Sequence, residues 1–243
     1  EVVKLADALT EAAAELSKTE ELRQELVSNV SHDLRTPLTL IAGYSEMIRD
    51  LPEETTAEDM QVIIDETNRL SNLVDDLLDL SKLRAGTVDF QMELFDLDEL
   101  TAEIVGRVAR FCEQDGYRIQ YRSEAGVQVT GDRERISQVI YNFLLNAVDH
   151  AGADKQVTVS LHTGEGKARL EVTDNGAGIS SEELPHIWER YYKADKTHHR
   201  TKAGSGLGLS IVRSILDRHP GVEYGVETEK GRGSTFWFSM QCG

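Results

Sequence analysis

No stretch of this chain approaches the roughly 18 consecutive apolar residues that a membrane-spanning helix needs, so a transmembrane helix is excluded within it. Positive charge is scarce. Lys and Arg number 26 against 43 Asp and Glu, a formal net charge of −17. A nucleic-acid surface wants a basic stripe, so that class of partner is excluded too. Cysteine is rarer still. Cys112 and Cys242 lie far apart, in no metal-like or redox-like spacing, and fit a reducing compartment. Internal repeats and low-complexity tracts are missing as well. The chain opens on Glu1 rather than Met, and is expected to be a fragment or processed product, from which an upstream membrane anchor could have been cut away. Its 243 residues leave room for one large domain or two modest ones, each able to bury a core.

What is present begins with a helical seam. Leu5, Leu9, Ala12 and Leu16 are spaced four, three and four, and Leu22, Leu26 and Val30 then advance by four and four. That is a heptad run with a stutter, and it needs a partner helix, so a parallel dimer is expected. Ser31-His32-Asp33-Leu34-Arg35-Thr36-Pro37 follows on the same helix. Val27, Val30, Leu34, Leu38, Ile41 and Ile48 form one narrow stripe at about 100° per residue. His32 and Thr36, four apart, project together from the opposite face. Pro37 cannot donate to the carbonyl of Asp33 and its ring clashes there, so a bend just beyond the histidine is expected.

Leu51-Pro52-Glu53-Glu54-Thr55-Thr56 reads as a turn with Thr55 or Thr56 as the next helix cap. Met60, Ile63, Thr67, Leu70, Val74 and Leu77, widened by Leu73, Leu80 and Leu83, predict a bundle helix that ends near Arg84-Ala85-Gly86. Two antiparallel helices cannot bury both faces alone, whereas two copies make a four-helix bundle. From Thr87 the period changes. Val88, Phe90 and Met92 alternate as a short strand, and helices are predicted near 95–111, 133–148 and 206–218. Strands are predicted near 118–121, 127–130, 157–162, 168–173, 223–227 and 234–240. Helices interleaved with a mostly antiparallel sheet predict a two-layer α+β domain.

Four polar signatures sit in this second half. Asn142 and Asn146, with Gln138 before them, share one helix face, and neutral amide oxygens suit Mg²⁺ that also holds phosphate. Asp174-Asn175-Gly176-Ala177-Gly178-Ile179 closes a strand, where a carboxylate suits an adenine amino group and glycines let backbone approach the ring. Trp188-Glu189-Arg190-Tyr191-Tyr192 is aromatic. Gly204-Ser205-Gly206-Leu207-Gly208-Leu209 runs into a helix, where exposed N–H groups and the dipole favour phosphate. No strand precedes that last motif, so it is not a dinucleotide fingerprint. The polar segment between, with Lys193, Lys196, His198, His199, Arg200 and Lys202, reads as a basic lid over a triphosphate. No cysteine or paired carboxylate supports a metal at His198-His199.

The segment Ser31–Pro37 and these four boxes, in this order, resemble the sensor histidine kinases of two-component signalling. The resemblance implies a long helical hairpin forming a dimeric four-helix bundle, followed by a two-layer α/β sandwich that binds ATP. Its boundaries are a signalling coiled coil over 1–22, a dimerisation and histidine phosphotransfer domain over 23–86, and a catalytic domain over 87–243. It implies autophosphorylation of His32 from ATP and Mg²⁺, then transfer to an aspartate on a response regulator receiver domain. His32, Asp33 and Thr36 are the implied catalytic residues. Asp33 accepts from the second ring nitrogen and fixes the tautomer, and Thr36 holds water when the regulator is dephosphorylated. Asn142, Asn146, Asp174, Gly176, Gly178, Tyr192, Lys193, Gly204, Gly206, Leu207 and Gly208 are the implied nucleotide residues, with Asn146 the direct metal ligand. The chain is then the cytoplasmic portion of a membrane-anchored bacterial sensor, a homodimer that touches the membrane only through segments outside it. One position departs from the pattern. Many members carry a lysine where Asp149 stands, so Lys193 or Arg190 would have to neutralise phosphate instead. Two rivals are a chaperone- or topoisomerase-type ATPase, which gives His32 no purpose, and a non-catalytic dimeric scaffold, which Asp149 favours.

Overall fold

The long helical run predicted for the first part of the chain forms as one element, α1, from Val2 to Asp50, and it continues through Pro37. The computed structural model describes residues 2–123, 126–189, 192 and 206–243, with side chains from residue 24 onward except 25, 26 and 84. The chain divides into two units, Glu1–Asp75 and Asp76–Gly243.

A turn over 51–56 leads into α2, Ala57–Arg84. Thr56 rather than Thr55 caps it, in a reciprocal box. The Asp59 N–H donates to Thr56 Oγ1 at 3.2 Å, and the Thr56 N–H donates to Asp59 Oδ2 at 2.9 Å. Thr55 instead donates to the carbonyl of Leu51. The other end closes where the sequence expects. Gly86 has φ 65°, its N–H meets the Leu83 carbonyl, and the Thr87 N–H reaches back to Lys82. This pair of bonds over a left-handed residue is a Schellman cap, which glycine adopts without steric cost. The apolar stripes of the first unit remain partly open. Val27 and Leu38 are 57% and 51% exposed, and Met60 and Val74 are exposed with them.

The second unit has the predicted two layers. Strand β1 is Met92–Asp96, α3 Leu97–Cys112, β2 Arg118–Ser123, β3 Gln128–Asp132 and α4 Arg133–His150. Then come β4 Gln156–Gly164, β5 Lys167–Asp174, α5 Gly208–Leu216, β6 Glu223–Glu229 and β7 Gly233–Gln241. Five strands form one sheet in the order β2-β4-β5-β7-β6, antiparallel except for the β2–β4 pair, while β1 and β3 pair separately. In β5 every second residue (Ala168, Leu170, Val172, Asp174) is buried, as a half-covered sheet requires. Ala168, Leu170 and Val172 join Ile140, Phe143, Leu144, Ile211 and Ile215 from the helix layer in one core. Phe143 lies between Phe236 and Phe238, with ring centroids 5.6 and 6.4 Å away. Each fully buried side chain of this kind contributes about 1.5–3 kcal/mol.

One element differs from its prediction. Val88 and Phe90 are not strand; β1 starts at Met92. Backbone groups must find partners, and here side chains supply them. Arg218 donates to the Val88 carbonyl at 2.8 Å, and the Gln91 N–H donates to Asp132 Oδ2 at 2.9 Å. Phe90 lies under the Arg218 guanidinium and edge-on to His219.

Candidate functional site

In the first unit the sequence places His32 on the face away from the apolar stripe, and its side chain is 79% exposed to solvent. Asp33 is largely covered, with Oδ1 3.6 Å from the ring Nδ1. That is ion-pair range and longer than a hydrogen bond, so the tautomer-fixing bond expected of Asp33 is not formed in this arrangement. The Thr36 hydroxyl donates to the His32 carbonyl at 3.3 Å, one turn back. Ser31 and Thr39 do the same to Val27 and Arg35, at 2.7 and 2.9 Å. Such back-bonding satisfies the hydroxyl locally and leaves its lone pairs facing water.

In the second unit the Asp174–Ile179 box lies at the end of β5 and in the loop after it, while the Asn142 box meets the start of α5. Asp174 is only 4% exposed at the last position of β5. Burial pushes its carboxyl up from the usual range, against the N–H groups of Gly176 and Ser234 that favour the charged form. The Gly176 N–H donates to Asp174 Oδ1 at 2.7 Å. A buried carboxylate held this way is a fixed acceptor, suited to an exocyclic amine on a flat ring.

The two glycines that follow are required by the protein's own backbone. A Cβ on Gly176 would stand 2.0 Å from the His150 carbonyl oxygen, and one on Gly178 would stand 2.3 Å from that of Glu229. The loop therefore crosses the end of α4 on one side and β6 on the other. Asn142 and Gly208 also meet. A Cβ on Gly208 would lie 3.2 Å from Asn142 Oδ1, so the amide sits at the first turn of α5. Asn146, one turn further along the same face of α4, is half-buried. Leu207 is buried in the core and fixes the entry to α5, while Gly206 precedes it with φ 68°. These residues fit an adenine nucleotide with a divalent ion: a buried acceptor, amide oxygens and a helix start.

Several contributors escaped the sequence reading. Asn175 Oδ1 accepts from the N–H groups of Gly152 and Gln156, at 3.0 and 3.3 Å, and so ties the loop after α4 to the Asp174 loop. The Thr173 and Thr235 hydroxyls pair at 2.9 Å beside Asp174. Thr228 accepts from the Ile179 N–H at 2.9 Å, which anchors the glycine loop to β6. Trp188 packs edge-on against Tyr224 and Phe236, with centroids 5.2 and 6.0 Å apart. It anchors the start of the predicted lid to the core. Tyr192 stacks on His186 at 5.7 Å. Arg190, Lys193, Lys196, His198, His199, Arg200, Lys202 and Gly204 lie outside the described residues. Asp149 is exposed at the end of α4.

Comparison with known proteins matches both parts. The His Kinase A (phospho-acceptor) domain model matches residues 22–86. The histidine kinase-, DNA gyrase B- and HSP90-like ATPase model matches residues 131–242. The phosphate regulon sensor protein PhoR of Pseudomonas aeruginosa is 33% identical over 220 residues, 89% of this chain and 49% of that protein. The signal transduction histidine-protein kinase BaeS of Escherichia coli is 31% identical over 221 residues, 91% of this chain and 47% of that protein. The chain thus spans about half the length of these relatives. Among solved structures, histidine kinase ThkA in complex with response regulator protein TrrA superposes with a TM-score of 0.72 and 25% identity, over 90% of this chain and 61% of that one. Acinetobacter baumannii histidine kinase AdeS shares the fold, with a TM-score of 0.69 at 23% identity over 87% of this chain and 98% of that one.

Proposed function

The chain belongs to the sensor histidine kinases of two-component signalling, and from that premise we propose that it phosphorylates His32 from ATP and passes the phosphoryl group to a response regulator. The observation that carries this is the pairing, in one chain, of a solvent-facing histidine with a separate set of residues around buried Asp174 whose chemistry fits an adenine nucleotide. A His32 ring nitrogen forms the new bond to the γ-phosphorus as the bond to the β–γ bridging oxygen breaks, and ADP leaves. Asp174 holds the adenine amine. Gly176 and Gly178 shape the ring pocket. Gly204, Gly206, Leu207 and Gly208 would offer N–H groups to phosphate, and Tyr192 and Lys193 would meet the nucleotide from the lid side. Asn146 would hold Mg²⁺ with Asn142 in support; the ion supplies charge neutralisation on the phosphates. The protein's own task is positioning and a favourable field. Asp33, 3.6 Å from the ring, stabilises the cation that forms there.

The phosphoryl group then moves to a receiver-domain aspartate. Thr36 orients water when the same surface hydrolyses the regulator's acyl phosphate. The domains are read as 1–22, 23–86 and 87–243, and the open stripe with Val27, Leu38, Met60 and Val74 supports a homodimer through the helical part. The relatives named as sensors support a membrane-anchored whole protein, although among the described residues no helix is long and apolar enough to cross a membrane.

The test is incubation with γ-labelled ATP. Wild type takes up acid-labile, base-stable label and His32→Gln binds ATP but takes up none; label at another histidine in that variant overturns the assignment. Steady ATP turnover without phosphohistidine would favour an ATPase instead, and no ATP binding would favour a scaffold.

A further inference from the structure

Leu80 and Leu83, in the last turns of α2, are sealed into the core of the second unit, whereas Val74, a turn and a half earlier, is exposed. Between them Asp79 is fastened from the outside. Its Oδ2 accepts from Gln138 Nε2 at 3.0 Å and from Arg135 Nη1 at 3.3 Å, and Arg135 Nη1 also donates to Gln138 Oε1 at 2.9 Å. The three side chains close a ring on the first turns of α4, half-covered from water. Gln138 precedes Asn142 and Asn146 on the same helix face.

Beyond Gly86 the chain stays attached. Arg218 takes the Val88 carbonyl and covers the Phe90 ring at 4.4 Å. The Gln91 N–H bonds Asp132 Oδ2, whose other oxygen caps α4 at the Arg135 N–H, 3.0 Å away. His219, buried against Phe90, accepts from the Asp132 N–H at 3.0 Å and donates to the Ile215 carbonyl at 2.9 Å. Residues 76–91 are thereby bonded to the first turn of α4 and to the end of α5, the two helices that carry the nucleotide residues.

We propose that residues 76–91 form a strap that moves with the nucleotide-binding unit, with Asp79 as its fastening. The joint between the two units then lies within α2, at Asp75–Asp76, and not in the glycine turn at Gly86, where the sequence suggests a domain boundary. The Asp79 bonds give nucleotide-induced changes in α4 a direct path into residues 79–84. This coupling rests on the ATP-binding reading, while the position of the joint does not.

Hydrogen exchange of the full chain through a urea series tests the joint without any ligand. Amides 80–84 should open together with those of α4 and at higher urea than amides 60–72. Opening of 80–84 with 60–72, or of all three together, overturns the proposal. Asp79→Ala should cost amides 80–84 about tenfold in protection, the scale for losing a partly exposed charge-assisted bond, while α4 keeps its own. Unchanged protection removes Asp79 as the fastening. For the coupling, AMPPNP with Mg²⁺ should slow exchange at both α4 and 80–84 in the wild type, and at α4 alone in Asp79→Ala. A response at α4 with none at 80–84 in the wild type overturns the coupling. Silence at α4 itself would instead overturn the nucleotide site and leave the joint to be decided by the urea series.

Discussion

The two units solve the burial of apolar side chains in opposite ways. The second closes on itself: Phe143, Phe236, Phe238 and Leu170 are sealed between sheet and helices. The first leaves Val27, Leu38, Met60 and Val74 open on helices whose sequence is patterned for a core. Hydrophobic burial is the main stabilising term in folding, so an open patterned stripe marks a surface that another chain completes. The difference separates a unit that closes its own core from a helical unit whose stripe the proposed homodimer would close. It also predicts where a substitution acts. Replacing an apolar side chain acts on folding in the second unit, and on association in the first.

The largest effect belongs to the closed core. Phe143→Ala removes the ring lying between Phe236 and Phe238 and is expected to cost about 3–5 kcal/mol. Calorimetry should show the transition of the second unit falling steeply, at any protein concentration. A loss well below that range would mean the layer repacks and the contrast between the units is overdrawn.

Leu38→Asp comes next and acts on association. A carboxylate in the middle of the open stripe would be buried without a partner in a four-helix bundle. The dissociation constant should rise by at least about tenfold, equivalent to roughly 1.4 kcal/mol, while the second unit melts as before. Analytical ultracentrifugation reads this, and unchanged association would move the dimer contact off this face.

How far the sequence carried both units follows from what it encodes locally. Helix α4 was legible to within two residues at its end because the Ile136–Ala147 stripe runs along one chain segment, while its Asp132 cap shows only in the structure. Asp174 and the glycines were legible as a motif, but the reason for Gly176 and Gly178 was not. The carbonyls of His150 and Glu229 that demand them are distant in sequence. Thr173 and Thr235 read as ordinary strand alternation until the register set them side by side. Val88 and Phe90 misled because alternation cannot show that Arg218 and Asp132, rather than a strand, take the backbone groups. A local pattern reports which residues are apolar in turn, and long-range partners decide what the backbone does with them.

A smaller effect sits where that strap meets the core. Burial holds the His219 imidazole below its ordinary range, and in its neutral form Nε2 accepts from Asp132 while Nδ1 donates to Ile215. The nearby Asp132 carboxylate opposes the shift without cancelling it. The unfolded chain therefore binds the proton more readily than the folded one. His219 contributes fully above its unfolded value of about 6.5, and that contribution is lost as pH falls from there through the lowered folded value. Denaturant melts of wild type and His219→Gln should converge on acidification. Asp174, whose carboxyl is raised, is common to both proteins and drops out of the difference. Parallel pH curves would show that His219 is not held neutral by its burial.

The smallest effect on stability, and the most informative about chemistry, is expected at Thr36. Its hydroxyl donates to the His32 carbonyl at 3.3 Å on an exposed face, and that carbonyl is also within reach of the helical N–H one turn on. Losing such a bond costs little, and alanine is the better helix former by a few tenths of a kcal/mol. Thr36→Ala should therefore melt like the wild type. His32 supplies its own lone pair when it attacks ATP, so label incorporation should be nearly unchanged. Hydrolysis of a regulator's acyl phosphate needs an oriented water, and the Thr36 lone pairs, left facing solvent one turn from His32, are placed to hold it. Regulator dephosphorylation should slow substantially in the variant. The deciding measurement is both rates on one preparation together with its melting temperature. Equal losses in the two rates with a lowered melting temperature would make Thr36 a structural residue of the helix, and unchanged dephosphorylation would remove it from the chemistry. A selective loss would show that the helical unit uses this exposed hydroxyl for a reaction rather than for its fold.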